Sequence, residues 1–238
     1  GKGDITSGGI LGTDLSTSIA GGNSKDFDRQ LKYSDTITEV QKALNQYDSA
    51  MEQADKAGAS INPAINVNAE KYKKQADKAK SEIDSLKSSL LDIEKEYLDN
   101  ADTIKGWLDS GSYDNNPEEK AKLEGYYQNY LDMADKIEND IIEIDFRFNA
   151  IDDSSYKNTI KNFFEKQGAL GAFNQNYIDS LSTEELRAVN LGIEDGTILS
   201  WENLTKYVKD YQKSIEEVNN AAVPDFKDTI SNISKTAS

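Results

Sequence analysis

The chain has 238 residues, a formal charge of −16 from 43 acidic and 27 basic side chains, and neither cysteine nor histidine. That length suffices to bury a core, while the charge argues against nucleic acid or an anionic membrane surface as a partner and leaves a basic or neutral protein, or plain solubility. Without Cys or His there is no disulfide, no zinc site built on those ligands, and no Ser-His-Asp or Cys-His mechanism.

Residues 1–23 are rich in Gly, Ser and Thr and read as a flexible arm, with one short helical turn expected over 13–20. The start at Gly1-Lys2-Gly3 carries no signal peptide and is what a piece of a longer chain would show. A first long helix is predicted over 25–56, on Tyr33, Ile37, Val40, Leu44, Tyr47, Met51 and Ala54. Their alternating spacing of four and three is that of a coiled-coil seam. Gly58 is expected as its C-cap and Pro63 as its stop. A second helix over 66–110 repeats the spacing at Tyr72, Ala76, Ala79, Ile83, Leu86, Leu90, Ile93 and Tyr97, then at Ala101, Ile104 and Leu108. Such a helix is roughly 65 Å long. A third, over 117–151, opens on Pro117 and carries Leu123, Tyr127, Tyr130, Ala134, Ile137, Ile141, Ile144, Phe148 and Ile151. One seam per helix is narrow, so flanking residues such as Leu91, Ile142 and Phe146 are expected to widen the core.

The last third holds shorter elements. Ser154 or Ser155 is expected to cap a helix with Tyr156, Ile160, Phe163 and Phe164, broken at Gly168 and Gly171. Tyr177, Ile178 and Leu181 form another piece. Ser182 and Glu185 form a capping box for a helix through Leu186 and Val189. A loop is expected from Gly192 to Gly196. Ser200 caps a longer helix with Trp201, Leu204, Val208, Tyr211, Ile215 and Val218 that stops before Pro224. Phe226, Ile230 and Ile233 make a weak amphipathic tail. No segment alternates with period two. The predicted fold is all-α: an elongated antiparallel bundle of three long heptad-patterned helices plus a C-terminal group of shorter helices. The predicted organisation is an arm at 1–23, a stalk at 24–152, and shorter helices packing on the stalk at 153–238, weakly ordered from 221. No run of about 18 apolar residues spans a membrane.

Few candidate sites stand out. Asp195, Gly196, Ile198 and Glu202 have the register of the second half of an EF-hand loop, but Leu191 and Ile193 occupy the first and third ligand positions and offer no side-chain oxygen. A turn with a helix cap is the better reading, and no metal or cofactor is expected. The carboxylate pairs Asp152/Asp153 and Asp99/Asp102 read as helix ends and solvated faces in so acidic a chain. The frequent seam tyrosines read as core packing with hydroxyls at the rim, or as a platform for a ligand. The glycine-rich arm lacks the Lys-Ser/Thr of a phosphate loop. No catalytic constellation emerges, and the chain is not expected to be an enzyme.

Several features together carry a resemblance: the helical pattern over 25–220, the acidic surface, Leu170-Gly171 at a helix break, the turn-like stretch from Trp107 to Gly111, and a Phe-x-x-x-Asp pattern at Phe148 and Asp152. The chain resembles the LXG-type targeting domains of toxins exported by the Gram-positive type VII pathway, which are related in design to WXG-type helical hairpins. The family's Leu-x-Gly signature is not met at Ile10-Leu11-Gly12 or at Leu170-Gly171. The resemblance implies a non-catalytic, secreted or cell-surface bacterial domain that binds small α-helical partner proteins, any toxin activity lying elsewhere. The long seams then become the partner-binding candidates: Tyr33, Tyr47, Tyr72, Tyr97, Trp107, Tyr127, Tyr130, Phe148 and Asp152. The alternative is a coiled-coil spacer or adhesin of a cell surface or phage. A pore-former would need an insertable apolar hairpin, and residues 168–173 are far too short.

Overall fold

The computed structural model describes residues 24–236, with side chains from 25 to 221. The predicted arm and its turn at 13–20 lie outside the described residues, as do the side chains of Phe226, Ile230 and Ile233. Every described element is a helix: α1 Ser24–Ala59, α2 Pro63–Asn66, α3 Asn68–Asp109, α4 Pro117–Lys166, α5 Gln175–Asp179, α6 Thr183–Glu194 and α7 Trp201–Thr236. The chain divides into two compact units, Gly1–Ile151 and Asp152–Ser238. The division falls inside α4.

In the first unit α1 packs along α3. The two run in opposite directions: Arg29 meets Glu96, while residues 38–53 share a groove with residues 75–82. One core takes Tyr33, Ile37, Val40 and Leu44 from α1, Ile83, Leu90, Ile93 and Tyr97 from α3, and Met133, Ile137 and Ile144 from α4. Alanines 43, 50, 76, 79, 101 and 134 are buried among them and let helix axes approach closely. Each fully buried aliphatic side chain contributes about 1.5–3 kcal/mol of transfer free energy.

Four expectations are corrected here. Gly58 does not cap α1 in a left-handed conformation, because the helix runs through it to Ala59. Pro63 opens the short helix α2, where its missing N–H is no loss, and the next long helix starts at Asn68 after a break at Val67. Ser154 and Ser155 start no new helix, since α4 is continuous to Lys166. Between Pro117 and Gly168 only Gly125 weakens the helix, and Ser155 is buried inside it, so no breaker lets the backbone leave. Leu91, Ile142 and Phe146 do not widen the core; they are exposed.

The second unit has its own core of Ile160, Phe164, Ile178, Leu186, Val189, Ile198, Leu204 and Val208. Phe164 sits edge-on to Trp201 at 5.6 Å, and Trp201 also meets Phe173 at 5.8 Å and Tyr177 at 5.5 Å. The capping box forms: Ser182 Oγ accepts from Glu185 N, and Glu185 Oε1 accepts from Ser182 N, both at 3.2 Å. Gly192 is not in a loop but is buried within α6. A Cβ there would lie 2.7 Å from Ile198 Cδ1, and its carbonyl accepts from Ile198 N at 2.9 Å, so glycine is needed for close approach. The last helix does not stop before Pro224 but continues to Thr236. Proline's fixed φ is compatible with a helix, at the cost of one hydrogen bond and of crowding against the carbonyl four residues back.

Candidate partner-binding surface

The seam tyrosines spend themselves inside the first unit. Tyr33, Tyr47, Tyr97 and Tyr130 are buried, so these four rings are used within the chain rather than offered to a partner. Tyr47 stacks on half-buried Phe148 at 4.6 Å, with Lys80 over the Phe148 ring at 5.7 Å. Tyr97 and Tyr130 meet at 6.0 Å. Tyr72 and Tyr127 are half-buried, and Trp107 on α3 is exposed. Asp152 is buried at the start of the second unit.

Hydroxyls expected at the rim are instead held by buried carboxylates. Tyr33 donates to Asp140, and Tyr130 donates to Asp26 Oδ2 at 2.8 Å. Arg29 donates from Nη1 to Asp26 Oδ1 at 2.7 Å and from Nε to Glu96 Oε2 at 3.1 Å, and lies over the Tyr97 ring at 5.1 Å. With its amide oxygen turned toward Arg29, Asn100 accepts from Nη2 at 2.9 Å. Burial opposes the charge on Arg29, but its bonds to Glu96 and Asp26 outweigh that and hold it protonated. Burial, then the neighbouring carboxylates, push Tyr33 and Tyr130 well above the usual phenol range, and burial pushes Tyr97 up to about 12. All three phenols therefore stay protonated.

Sequence reasoning missed Asp26, Asp140 and Gln30, whose Oε1 accepts from the Tyr97 hydroxyl at 3.5 Å. Continuing the spacing of α1 toward its start places Gln30 three residues before Tyr33 and Asp26 four before that, on the same seam. Asp140 lies three residues after Ile137 and four before Ile144, beside the seam of α4.

What faces outward is different in kind. Leu91 and Leu98 on α3 and Ile142 and Phe146 on α4 are 52%, 39%, 60% and 74% exposed. Lys87 pairs with Asp145, and Glu94 lies close enough to Glu138 to feel its charge. Leu91 lies between Lys87 and Glu94, and Ile142 between Glu138 and Asp145. Helical spacing thus sets both leucines, Ile142 and Phe146 along one α3–α4 edge. Burial first, and then Glu138, raises the pKa of Glu94.

The α1–α3 edge is polar by contrast. A groove of about 910 Å³ is lined by Thr38, Gln41, Asn45, Gln46, Gln53 and Gln75 among others, with Ala50 and Ala79 at its floor. A smaller one of about 330 Å³ lies along Asp28, Leu31, Asp35, Glu39 and Leu86. The larger offers amides and hydroxyls together with Lys42, Lys78 and Glu82, and the smaller mostly carboxylates with Lys32, Leu31 and Leu86.

Asp195 and Glu202 belong to the second unit. Leu191 and Ile193 are helical in α6, and Asp195 follows as its C-cap. Bonds from the Thr197 hydroxyl and then from Thr197 N, the latter at 2.9 Å, lower the pKa of the Asp195 carboxyl, and Gly196 turns the chain at φ 79°. This is a helix, a tight turn and a helix in place of a calcium loop. Among the described residues no cluster of three or more acidic side chains is placed to hold a metal ion, and no helix is long and apolar enough to cross a membrane.

Comparison with protein-family models, with curated proteins and with solved structures finds no match to this chain.

Proposed function

We propose that this chain is a non-catalytic, secreted targeting domain of a type VII-exported effector from a Gram-positive bacterium, and that it binds small α-helical partner proteins. In this reading the three long helices form an elongated antiparallel bundle with heptad seams, and its outer edges carry the recognition. The observation that supports it is the exposed strip of Leu91, Leu98, Ile142 and Phe146. Exposed apolar side chains gathered along one edge of a charged surface mark interaction sites. A strip along two helices suits an amphipathic helix laying down its own i, i+3, i+4, i+7 face. Glu94 and Glu138 ask for a lysine or arginine on that partner.

The test is co-expression with the small helical proteins encoded beside this one, followed by affinity capture and calorimetry. A stable complex is expected, with L91E/I142E weakening it by about tenfold or more while the circular dichroism of the free chain is unchanged. A chain that remains alone with every such neighbour overturns the reading and favours the spacer or adhesin.

A further inference from the structure

A second outward feature lies at the connection between α1 and α3. Ile61 is 94% exposed, Val67 71% and Ile65 49%. Residues 57–69 contain no charged side chain, in a chain where 29% of residues are charged.

The connection is held in shape rather than loose. Asn62 Oδ1 accepts from Ala64 N at 3.0 Å and caps α2. Asn66 Nδ2 reaches back to the carbonyls of Ala57, Gly58 and Ser60 at 3.4, 3.3 and 3.3 Å. The three aliphatic side chains are thus presented by a fixed turn, and little ordering entropy remains to be lost when they are buried.

The charge beside them inverts that of the molecule. From 56 to 74 there are four lysines, Lys56, Lys71, Lys73 and Lys74, against the single acid Glu70. All four are exposed. Lys56 is paired with Glu52 and Lys73 with Glu70, whereas Lys71 and Lys74 have no ion-pair partner among the described residues.

We propose that this tip docks on an anionic lipid bilayer, with Ile61, Ile65 and Val67 entering the interfacial layer and Lys71 and Lys74 meeting the headgroups. The composition favours lipid over protein. Protein interfaces draw their energy from Trp, Tyr and Arg and are depleted in lysine, whereas here exposed aliphatics are followed on α3 by the exposed Lys71, Lys73 and Lys74. Apolar side chains flanked by lysine match a surface that is apolar beneath and negative above. The net −16 of the whole chain does not forbid this. Salt screens charges beyond about 8 Å, so the acids that weigh most are those nearest the tip on α1 and α3, Glu52, Asp55, Glu70 and Asp77, which Lys56, Lys71, Lys73, Lys74 and Lys78 outnumber.

The test is flotation of the full chain with vesicles of phosphatidylcholine mixed with phosphatidylglycerol, and with vesicles of phosphatidylcholine alone. Binding is expected to the mixed vesicles, with much weaker binding to the neutral ones and a steep loss in high salt. I61S/V67S should lower it about tenfold or more. K71Q/K74Q should lower it about fivefold per lysine. All four substitutions are at exposed positions, and circular dichroism checks the fold. In a W107F/W201F background, where the introduced indole is the only one, I61W should shift its emission to the blue on mixed vesicles only. The proposal is overturned if the chain floats with neither vesicle, if I61S/V67S floats as well as the parent, or if the tip captures an acidic protein while ignoring lipid.

Discussion

The two units hold their helices in place by different means. In the first, long helices of similar seams are tied by polar pairs that reach inside: Asp26 with Arg29 and Tyr130, and Tyr33 with Asp140. In the second, short helices are fixed by unlike ring shapes around Trp201, by the box at Ser182 and by the close approach at Gly192. Long helices with repeating apolar spacing can slide by a turn and still bury apolar surface. A buried hydrogen-bonded charge is satisfied in only one register, and register control is the best-attested use of such groups. Short helices meet at a few non-repeating contacts, so shape alone suffices.

The largest expected effect comes from breaking shape in the second unit. Phe164→Ala removes a fully buried ring with three aromatic neighbours and should cost about 3–5 kcal/mol. The two tryptophans fall one in each unit, Trp107 and Trp201. Urea unfolding followed by Trp201 emission in a W107F background reads the second unit. If Trp107, read in a W201F background, loses as much stability on F164A, the units do not keep separate cores and the comparison fails.

Breaking a polar tie in the first unit should cost less. Tyr33→Phe leaves the Asp140 carboxylate buried without its donor, at about 1–3 kcal/mol. D140N keeps an acceptor and should cost less than Y33F, and Y33F/D140L should recover part of the loss. Equal costs for all three variants would mean that Tyr33 matters only as a ring. In the second unit, Gly192→Ala should cost about 1–3 kcal/mol by overpacking against Ile198. I198V removes the Cδ1 atom that the new methyl would strike, so the pair G192A/I198V should be more stable than G192A alone. A G192A chain with wild-type stability would place Gly192 outside the packing argument.

These contacts differ in how far the sequence announces them. The apolar residues of α1 could be read because spacing of three and four persists over many turns, and Tyr33, Ile37, Val40, Leu44, Tyr47 and Ala54 are all buried. The capping box at Ser182 and the helix start at Pro117 are local and equally plain. Asp26 and Asp140 are hard to pick out because an acid in so acidic a chain looks like surface, although both lie on or beside a seam. Leu91, Ile142 and Phe146 were expected inward because hydrophobicity says nothing of which flank a neighbouring helix covers. Ser154 and Ser155 look like caps, but a cap needs a chain that leaves the helix. Gly192 resembles a loop glycine in sequence, since close approach of Ile198 is a tertiary fact.

The smallest and sharpest comparison is in acid. Burial first, with help from Glu143 and against the bond from Tyr33 and the charge of Lys136, raises Asp140 above 3.8, and burial with Glu138 raises Glu94 above 4.5. A raised carboxyl binds its proton more tightly when folded. Its contribution is fully present below the unfolded value and is lost as pH rises through the folded one. In the second unit the signs reverse. Burial works to raise Glu185, but the bonds from Gln212 Nε2 at 2.6 Å and from Ser182 outweigh it and hold its pKa below 4.5. Bonds from Gln175 and Lys157 hold Asp179 below 3.8. These groups stabilise above their unfolded values and lose that contribution as pH falls through the folded ones. Urea midpoints taken across this acid range, with each tryptophan as reporter, should therefore change differently on substitution. D140N should make the first unit respond more steeply to acid by removing a contribution that grows as pH falls. E185Q should make the second unit respond less steeply. Changes of the same sign in both units would mean that the buried carboxyl of the first is held as an ordinary surface acid, and the distinction between internal ties and helix-end caps would go with it.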